Sequence, residues 1–227
     1  MAGRARPPVR VLGLIEDMTD GKVKLVLASA SPRRLALLEQ AGLTPDLLNP
    51  VDLDETQSRR ETPRALSLRL AKEKAAAAAE APIVKALGEA PFILAADTVV
   101  AVGRRVIGKA ENVSEAGDAL WLLSGRSHKV FTSISLLTPT GTSRSRVVES
   151  KVRFKRLTRE DVDSYLASDE WRGKAGAYAI QGRAGVFVRM LTGSYTGVVG
   201  LPLYETVSLL QGTGYPVYFT WMNQAAG

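Results

Sequence analysis

An apolar strand pattern leads almost directly into a helix near the start of the chain. Lys24 to Ser29 (KLVLAS) predicts a buried strand. The helix that follows has Ser31 available as a cap, Pro32 at its first position and Gly42 as a left-handed stop. Since the loop between the two elements is very short, the chain must fold with a helix packed close to a sheet, as α/β proteins do.

Later segments alternate between strand and helix patterns without strict β-α-β repetition. A long apolar strand, FILAADTVVAV, turns through GRR into VIGK as a hairpin. The pattern therefore predicts an α/β fold with a mixed sheet flanked by helices. The other predicted elements are a helix capped by Thr62 that stops before Pro82, a helix in SEAGDALWLLSG, strands in HKVFTSISLLT and RVVESKVRF, and a helix opened by a Thr158–Asp161 capping box.

Cysteine and histidine usage excludes several kinds of site. The 227 residues contain no cysteine, so disulfides, thiolate nucleophiles and cysteine-bound metals are ruled out. His128 is the one histidine, far from any nucleophile-elbow pattern, and is predicted to be a surface or hydrogen-bonded structural residue. Gly103 to Lys109 has the glycine and lysine spacing of a P-loop, but Ala110 replaces the required hydroxyl residue, and a hairpin is predicted there.

The composition of the N-terminal segment and the hydropathy of the chain indicate its domain organisation and location. Residues 1–23 are expected to form a flexible, Arg-rich extension before a single domain at 24–227. No apolar run is long enough to cross a membrane, so no membrane partner is expected, and a cytoplasmic location is predicted.

The charge balance favours an anionic partner. The formal net charge is +7 and the sequence pI about 9.8. A nucleic acid, a phosphorylated small molecule or an acidic surface would each fit this charge. A protein that is merely basic fits it equally well.

Two carboxylates are candidates for metal or acid–base chemistry. Asp97 interrupts an apolar strand, where a lone carboxylate is costly unless it is paired, bound to a metal or catalytic. The alternative is a strand end at which Asp97 caps backbone amides. Glu55, in DLDET, is the second candidate oxygen ligand, although a solvated acidic loop remains an alternative. Two carboxylates with substrate phosphates and waters suit Mg²⁺, while Mn²⁺ or Co²⁺ also accept oxygen ligands.

Cations on three separated segments predict an anion site. Lys74 shares a helical stripe with Leu66 and Leu70, so it projects from the buried face while Lys72 lies roughly opposite. Such a lysine either extends along the core to water or meets an anion. With Arg33, Arg34 and Lys109, it would provide four cations for a polyphosphate.

Arg33 and Arg34 occupy the first turn of the first helix, where positive charge is unfavourable by about 0.3–1 kcal/mol each. A triphosphate bound at that turn would reverse this cost. The backbone N–H groups near Ser29 and the positive helix end would then act together with both guanidinium groups.

The ordered motifs resemble those of the Maf nucleotide pyrophosphatases, also called septum-formation inhibitor proteins. They include LASASPRRLALLEQAG, DLDET, LAKEKA, AADTVV, LSGRSHKVFT, GKAGAYAIQG and GSYTGVVGLPL, and the resemblance runs from about Lys24 to Thr220. It differs at Ala110, where the family often has proline, and at Thr196-Gly197, where it usually has Ser-Asn.

The resemblance implies a Maf/Ham1-like (ITPase-like) fold with two lobes around a deep cleft, a homodimer, and hydrolysis of nucleoside triphosphates to the monophosphate and pyrophosphate. Asp97 matches the catalytic aspartate, near the metal. Further matches are the polar cleft residues Ser29, Arg33, Glu55, Lys74 and Lys109, and the residues linked to choice of dTTP and UTP over 7-methyl-GTP, which are Arg34, Thr98 and Gln181.

Two other functions stay open at this stage. A nucleic-acid-binding protein would explain the basic charge, although only 6% of the residues are aromatic and the cations cluster around Asp97. A Maf-like regulator of cell division with weak catalysis, acting through partners, would keep the same residues. We expect a nucleotide substrate and no nucleic acid.

Overall fold

A seven-stranded mixed sheet forms the centre of the molecule in the computed structural model, which describes residues 23–218. The strand order is β2-β1-β3-β5-β6-β7, with β4 paired to β3. Strand β1 is parallel to β2 and β3, whereas the remaining pairs are antiparallel. The strands are β1 (Leu25–Leu27), β2 (Leu47–Leu48), β3 (Phe92–Val102), β4 (Arg105–Ile107), β5 (Ser127–Leu137), β6 (Ser143–Phe154) and β7 (Val188–Thr192).

Helices cover both faces of this sheet. Ser67 of α2 hydrogen bonds to Ser133 of β5, whereas the adjacent Thr132 donates to the Gly197 carbonyl in α6. Adjacent strand residues point to opposite faces, so α2 and α6 lie on opposite sides. The predicted mixed α/β fold is confirmed. The helices are α1 (Pro32–Gln40), α2 (Pro63–Glu80), α3 (Pro82–Lys85), α4 (Val113–Leu123), α5 (Arg159–Leu166), α6 (Tyr195–Val199) and α7 (Leu203–Gln211), with a 3-10 helix at Arg183–Phe187.

One edge of β3 has a gap in its pairing. Strand β1 pairs with residues 92–94 of β3, and β4 pairs with residues 100–102. Residues 95–99 have a strand partner only on the other edge, where β5 lies. Because Asp97 and Thr98 point to opposite faces of β3, this gap lets side chains from both faces border one space.

The predicted element ends are largely confirmed, with one correction at α1. The capping box of Thr158 and Asp161 is present, and Gly42 has a φ of 68°. Ser31 occupies the N-cap position of α1, but its side chain makes no capping hydrogen bond. The N–H of Ser31 is itself bonded to Ser29 Oγ, at 3.2 Å. The Ser31 side chain therefore leaves the first-turn N–H groups of α1 uncapped.

The predicted extension at residues 1–23 lies outside the described residues except for Val23, as do residues 219–227 of the predicted domain. Among the helices of the described part, none has both the length and the apolar character needed to span a membrane.

His128 is a buried, hydrogen-bonded residue of β5. Of the two alternatives that the sequence left open for it, a surface residue and a hydrogen-bonded structural residue, the second is confirmed. Its Nε2 lies 2.8 Å from the Tyr178 hydroxyl oxygen, and the imidazole is 2% exposed. Burial lowers the pKa of His128 to about 4, below its ordinary value of 6.5. The ring is therefore neutral at pH 7, and its place is in the core.

This burial predicts a loss of stability in mild acid. Between pH 6.5 and 4 the unfolded chain binds a proton at His128 that the folded chain does not, so stability falls as the pH falls. We expect a contribution of about 2 kcal/mol between pH 7 and pH 5. Urea unfolding of the wild type and His128→Gln at both pH values measures it. An equal pH dependence in both proteins would contradict this origin.

Candidate active site

A cavity of about 470 Å³ lies at the gap in β3. It extends from the end of β1 and the first turn of α1 to the loop before the 3-10 helix and to α6. The structure therefore brings together every site residue that the sequence predicted. These lining residues are Ser29, Arg33, Arg34, Glu55, Lys74, Asp97, Thr98, Lys109 and Gln181.

Lys74 joins the two candidate carboxylates. Its Nζ donates to Asp97 Oδ1 at 2.6 Å and to Glu55 Oε1 at 2.7 Å. Lys74 is 8% exposed and Asp97 5% exposed, so these are charge-assisted bonds in a largely dry setting. The prediction that Lys74 projects from the buried face of α2 is confirmed. Of the two alternatives for its charge, the structure has the one in which Lys74 meets an anion, here the carboxylates of Asp97 and Glu55. Asp97 lies in the interior of β3, so the strand-end alternative is wrong.

Glu55 is held between two lysines. Lys109 Nζ donates to Glu55 Oε2 at 2.7 Å, while Lys74 takes the other oxygen. Burial by itself would raise the pKa of Glu55, but the hydrogen bonds and charges of Lys109 and Lys74 outweigh it and lower the pKa to about 2. Glu55 is therefore ionised throughout the physiological pH range.

The two carboxylates are suited to share a cation with a phosphate ligand. Within the described part of the chain, no group of three or more His, Cys, Asp or Glu residues could hold a metal ion. Glu55 and Asp97 nevertheless already enclose one positive charge, the Lys74 ammonium. Two carboxylates completed by phosphate oxygens and water are a typical Mg²⁺ donor set. The residues present fit such an ion.

Arg34 makes its hydrogen bonds inside the protein. Its Nε donates to the Gly200 carbonyl at 2.9 Å, and its terminal nitrogens donate to Ser29 Oγ and Thr98 Oγ1, both at 3.3 Å. Burial lowers the pKa of this guanidinium, while Asp97 and Glu55 oppose that shift. Arg34 therefore ties α1 to β3 and to the end of α6.

Arg33 has a different environment from its neighbour. Its side chain also borders the cavity, but it forms no hydrogen bond or ion pair within residues 23–218. Burial and the nearby Arg34 both lower the pKa of Arg33. The sequence analysis treated the two arginines alike, as phosphate ligands. In the structure, only the guanidinium N–H groups of Arg33 have no hydrogen-bond acceptor among the described residues, so Arg33 is the arginine that is free to bind a phosphate.

The opposite part of the cavity is less charged. Val100, Val130 and Val198 supply apolar surface there, beside the Thr98 hydroxyl. Gln181 also borders the cavity and is exposed, and its amide makes no hydrogen bond to the residues that the structure describes. The cavity thus combines a cationic region around Asp97 with an apolar region that carries a few polar groups, as nucleotide-sized ligands require.

Sequence reasoning missed two cations of the lining. Arg172 and Lys174 lie in the loop before the 3-10 helix and border the cavity. An isolated β-bridge between Lys109 and Ala175 places this loop beside the cationic region. The pair occurs in WRGKAG, so two basic residues around a glycine were the available signal. Only the long-range contact with Lys109 shows that they share the site.

The chain is similar in sequence to a known protein family and to several named proteins. The family model described as "Maf-like protein" matches residues 24–213. A protein of Rhodopseudomonas palustris (strain HaA2) named dTTP/UTP pyrophosphatase is 60% identical over 203 residues, which cover 89% of this chain and 98% of the relative. A protein of the same name from Agrobacterium fabrum is 58% identical over 206 residues, covering 91% of this chain and 100% of the relative.

The solved structure of a HAM1 protein from Coxiella burnetii has 20% sequence identity to this chain. The match covers 60% of this chain and 75% of the HAM1 chain. The TM-score is 0.42. At that level the likeness supports no further conclusion about the chain.

Proposed function

The chain belongs to the Maf-like protein family, and on that premise we propose that it hydrolyses dTTP and UTP to the monophosphate and pyrophosphate. The observation that carries the proposal is the buried Asp97 carboxylate, held by Lys74 in a cavity where cations outnumber carboxylates. A carboxylate at the centre of a cationic cavity suits hydrolysis of a polyphosphate better than passive binding of one.

The triphosphate is bound by the cationic region. Arg33 offers a planar set of donors, while Lys74 and Lys109 act as point charges from two other segments. The first turn of α1, which has no side-chain cap, adds the backbone N–H of Arg33. These groups hold the phosphates in line with the catalytic carboxylate and stabilise the charge that develops on the leaving pyrophosphate.

Asp97 orients a water molecule and accepts its proton. The bond formed joins the water oxygen to the α-phosphorus, and the bond broken joins that phosphorus to the oxygen bridging the α- and β-phosphates, so pyrophosphate leaves. Lys74 keeps Oδ1 of Asp97 fixed, and no hydrogen bond within the described residues uses Oδ2. That second oxygen is therefore available to a water molecule.

A divalent cation completes the proposed site. Glu55 and Asp97 hold it, with Mg²⁺ favoured and Mn²⁺ or Co²⁺ accepted by the same oxygen donors. When bound, it offsets negative charge on the phosphate oxygens.

The base occupies the apolar region. Val100, Val130 and Val198 contact its faces, and Gln181 offers both amide donors and a carbonyl acceptor to a pyrimidine edge. Thr98 lies beside this region and is oriented by Arg34. A homodimer and a cytoplasmic location belong to the same proposal, supported by the family resemblance.

The products distinguish this reaction from other triphosphate hydrolyses. With dTTP and Mg²⁺, we expect thymidine monophosphate and pyrophosphate in equal amounts. Chromatography of the nucleotide products and a pyrophosphate assay measure both. Formation of the diphosphate and inorganic phosphate would place cleavage at the wrong bond and contradict the proposal.

A further inference from the structure

The loop before the 3-10 helix brings two cations to the cavity that the proposed function leaves without a role. Arg172 and Lys174 both border the cavity. The loop itself is held by main-chain contacts, because the Gly176 N–H donates to the carbonyls of Ile107 and Gly108, at 3.1 and 3.0 Å. The place of the loop beside the cationic region therefore does not depend on the charge of either side chain.

The charge of Arg172 is already paired within the loop. Its Nε donates to Asp169 Oδ1 at 3.0 Å, and its guanidinium lies over the Trp171 ring, 4.4 Å from the centroid. The Arg172 side chain is also exposed to water. Arg172 thus has a carboxylate, an aromatic face and solvent as partners, and it needs no ligand to offset its charge.

Lys174 has no carboxylate partner. Its Nζ donates to the Arg172 carbonyl at 2.7 Å, but Lys174 forms no ion pair with any residue in the range 23–218. Two of the three ammonium hydrogens are thus left for other acceptors. Because Lys174 is half-buried, water hydrates its charge only in part. A ligand with negative charge would stabilise a lysine in this position.

Lys174 also experiences the charge of Arg33. Burial and Arg33 both lower the pKa of Lys174, whereas Glu170 opposes this shift. Glu170 is itself engaged, since one of its oxygens accepts from the Arg183 N–H at 2.8 Å. Arg33 and Lys174 are therefore two cations of one cavity that repel each other, and neither forms an ion pair within the described part of the chain. A bound anion with several charges would offset this repulsion.

Lys74 and Lys109 differ from this pair, because each is already bound to a carboxylate of the site. The water that Asp97 orients attacks the α-phosphorus, so the α-phosphate lies at the carboxylate end of the cationic region. The two cations without a carboxylate, Arg33 and Lys174, are then left for the β- and γ-phosphates. These two phosphates carry most of the negative charge and leave together as pyrophosphate.

We propose that Lys174, together with Arg33, binds the two phosphates that leave as pyrophosphate. This inference rests on the proposed function and deepens it, because it assigns the subsite of the leaving group. Lys174 acts there as a point charge that stabilises the departing phosphates, while the proton transfer stays with Asp97.

Binding of the two products, measured one at a time, tests this role. The probes are inorganic pyrophosphate and thymidine monophosphate, each titrated into the protein with Mg²⁺ in a calorimeter. We expect Lys174→Met to raise the dissociation constant of pyrophosphate about tenfold, the effect of one hydrogen bond between charged groups. The dissociation constant of thymidine monophosphate is expected to stay unchanged, since its phosphate lies at the Asp97 end.

Two further variants separate the charge of Lys174 from the structure of the loop. Lys174→Gln removes the charge, but its amide can still donate to the Arg172 carbonyl. It is expected to weaken pyrophosphate binding as much as Lys174→Met does. Lys72→Met is the matched control, because Lys72 is exposed on α2 and does not border the cavity. It removes the same charge and is expected to leave both dissociation constants unaltered.

The melting temperature of the ligand-free protein gives a second readout. Removing the charge of Lys174 relieves its repulsion with Arg33, so Lys174→Gln is expected to melt at the wild-type temperature or above it. A lower melting temperature would make Lys174 a structural residue and overturn the inference.

Three binding results would also overturn it: unchanged pyrophosphate affinity in Lys174→Met, an equal loss of affinity for both products, or wild-type pyrophosphate binding by Lys174→Gln. Because neither titration involves cleavage, the proposed function fails separately, if dTTP yields no pyrophosphate while the affinity for added pyrophosphate still depends on Lys174.

Discussion

We expect Asp97→Asn to abolish most turnover while leaving the fold and nucleotide affinity nearly intact. The amide has the same shape and still accepts from Lys74 through its oxygen, but it cannot take a proton from water. Loss of a positioned general base lowers kcat by about 10³-fold, within the usual range of 10²–10⁴. Steady-state kinetics with dTTP gives kcat, and titration with a non-cleaved analogue gives the dissociation constant.

Asp118→Asn is the matched control for this variant. Asp118 lies on the exposed side of α4, away from the cavity. The Asp118→Asn substitution makes the same chemical change as Asp97→Asn, and we expect it to leave kcat unaltered. Near-normal kcat in Asp97→Asn would remove Asp97 from the catalytic role.

Lys74→Met is expected to cost both stability and activity. The substitution leaves the nearly buried Asp97 carboxylate without its cation, whereas Glu55 keeps Lys109. Removing one partner of a buried ion pair costs about 3–5 kcal/mol. We also expect kcat/KM to fall by about 10²-fold or more, since Lys74 both orients Asp97 and meets the phosphates. Urea unfolding and steady-state kinetics measure the two effects.

The same variant tests the divalent cation site. With the ammonium removed from between Glu55 and Asp97, Mg²⁺ is expected to raise the melting temperature more in Lys74→Met than in the wild type. Lys72→Met is the control, because Lys72 is exposed on the other side of α2 and should change stability by no more than about 0.5 kcal/mol. Equal losses of stability in the two variants would contradict the buried ion pair.

Local patterns were sufficient to predict the elements that carry the site. A long apolar run followed by a turn located β3, and the Thr62 cap, the helix-favouring alanines and the stop before Pro82 located α2. The helical stripe also predicted the burial of Lys74, because a 3.6-residue period decides which side chains face the sheet.

Other features depend on contacts between distant segments and have no local signal. The gap in β3 arises because β1 pairs only with residues 92–94 of β3 and β4 pairs only with residues 100–102. Only the strand pairing reveals this. Arg33 and Arg34 look equivalent in the sequence, yet the Gly200 carbonyl 166 residues later engages Arg34 alone. Likewise, the bond from Thr132 to the Gly197 carbonyl joins residues 65 positions apart.

The most direct test of the central claim is pyrophosphate release by the purified protein with Mg²⁺ from a panel of dTTP, UTP, CTP and 7-methyl-GTP. We predict selective release from dTTP and UTP, with equimolar monophosphate, and loss of this release in Asp97→Asn. No release from dTTP or UTP, or equal release from 7-methyl-GTP, would contradict the assignment of this cavity as a dTTP and UTP pyrophosphatase site.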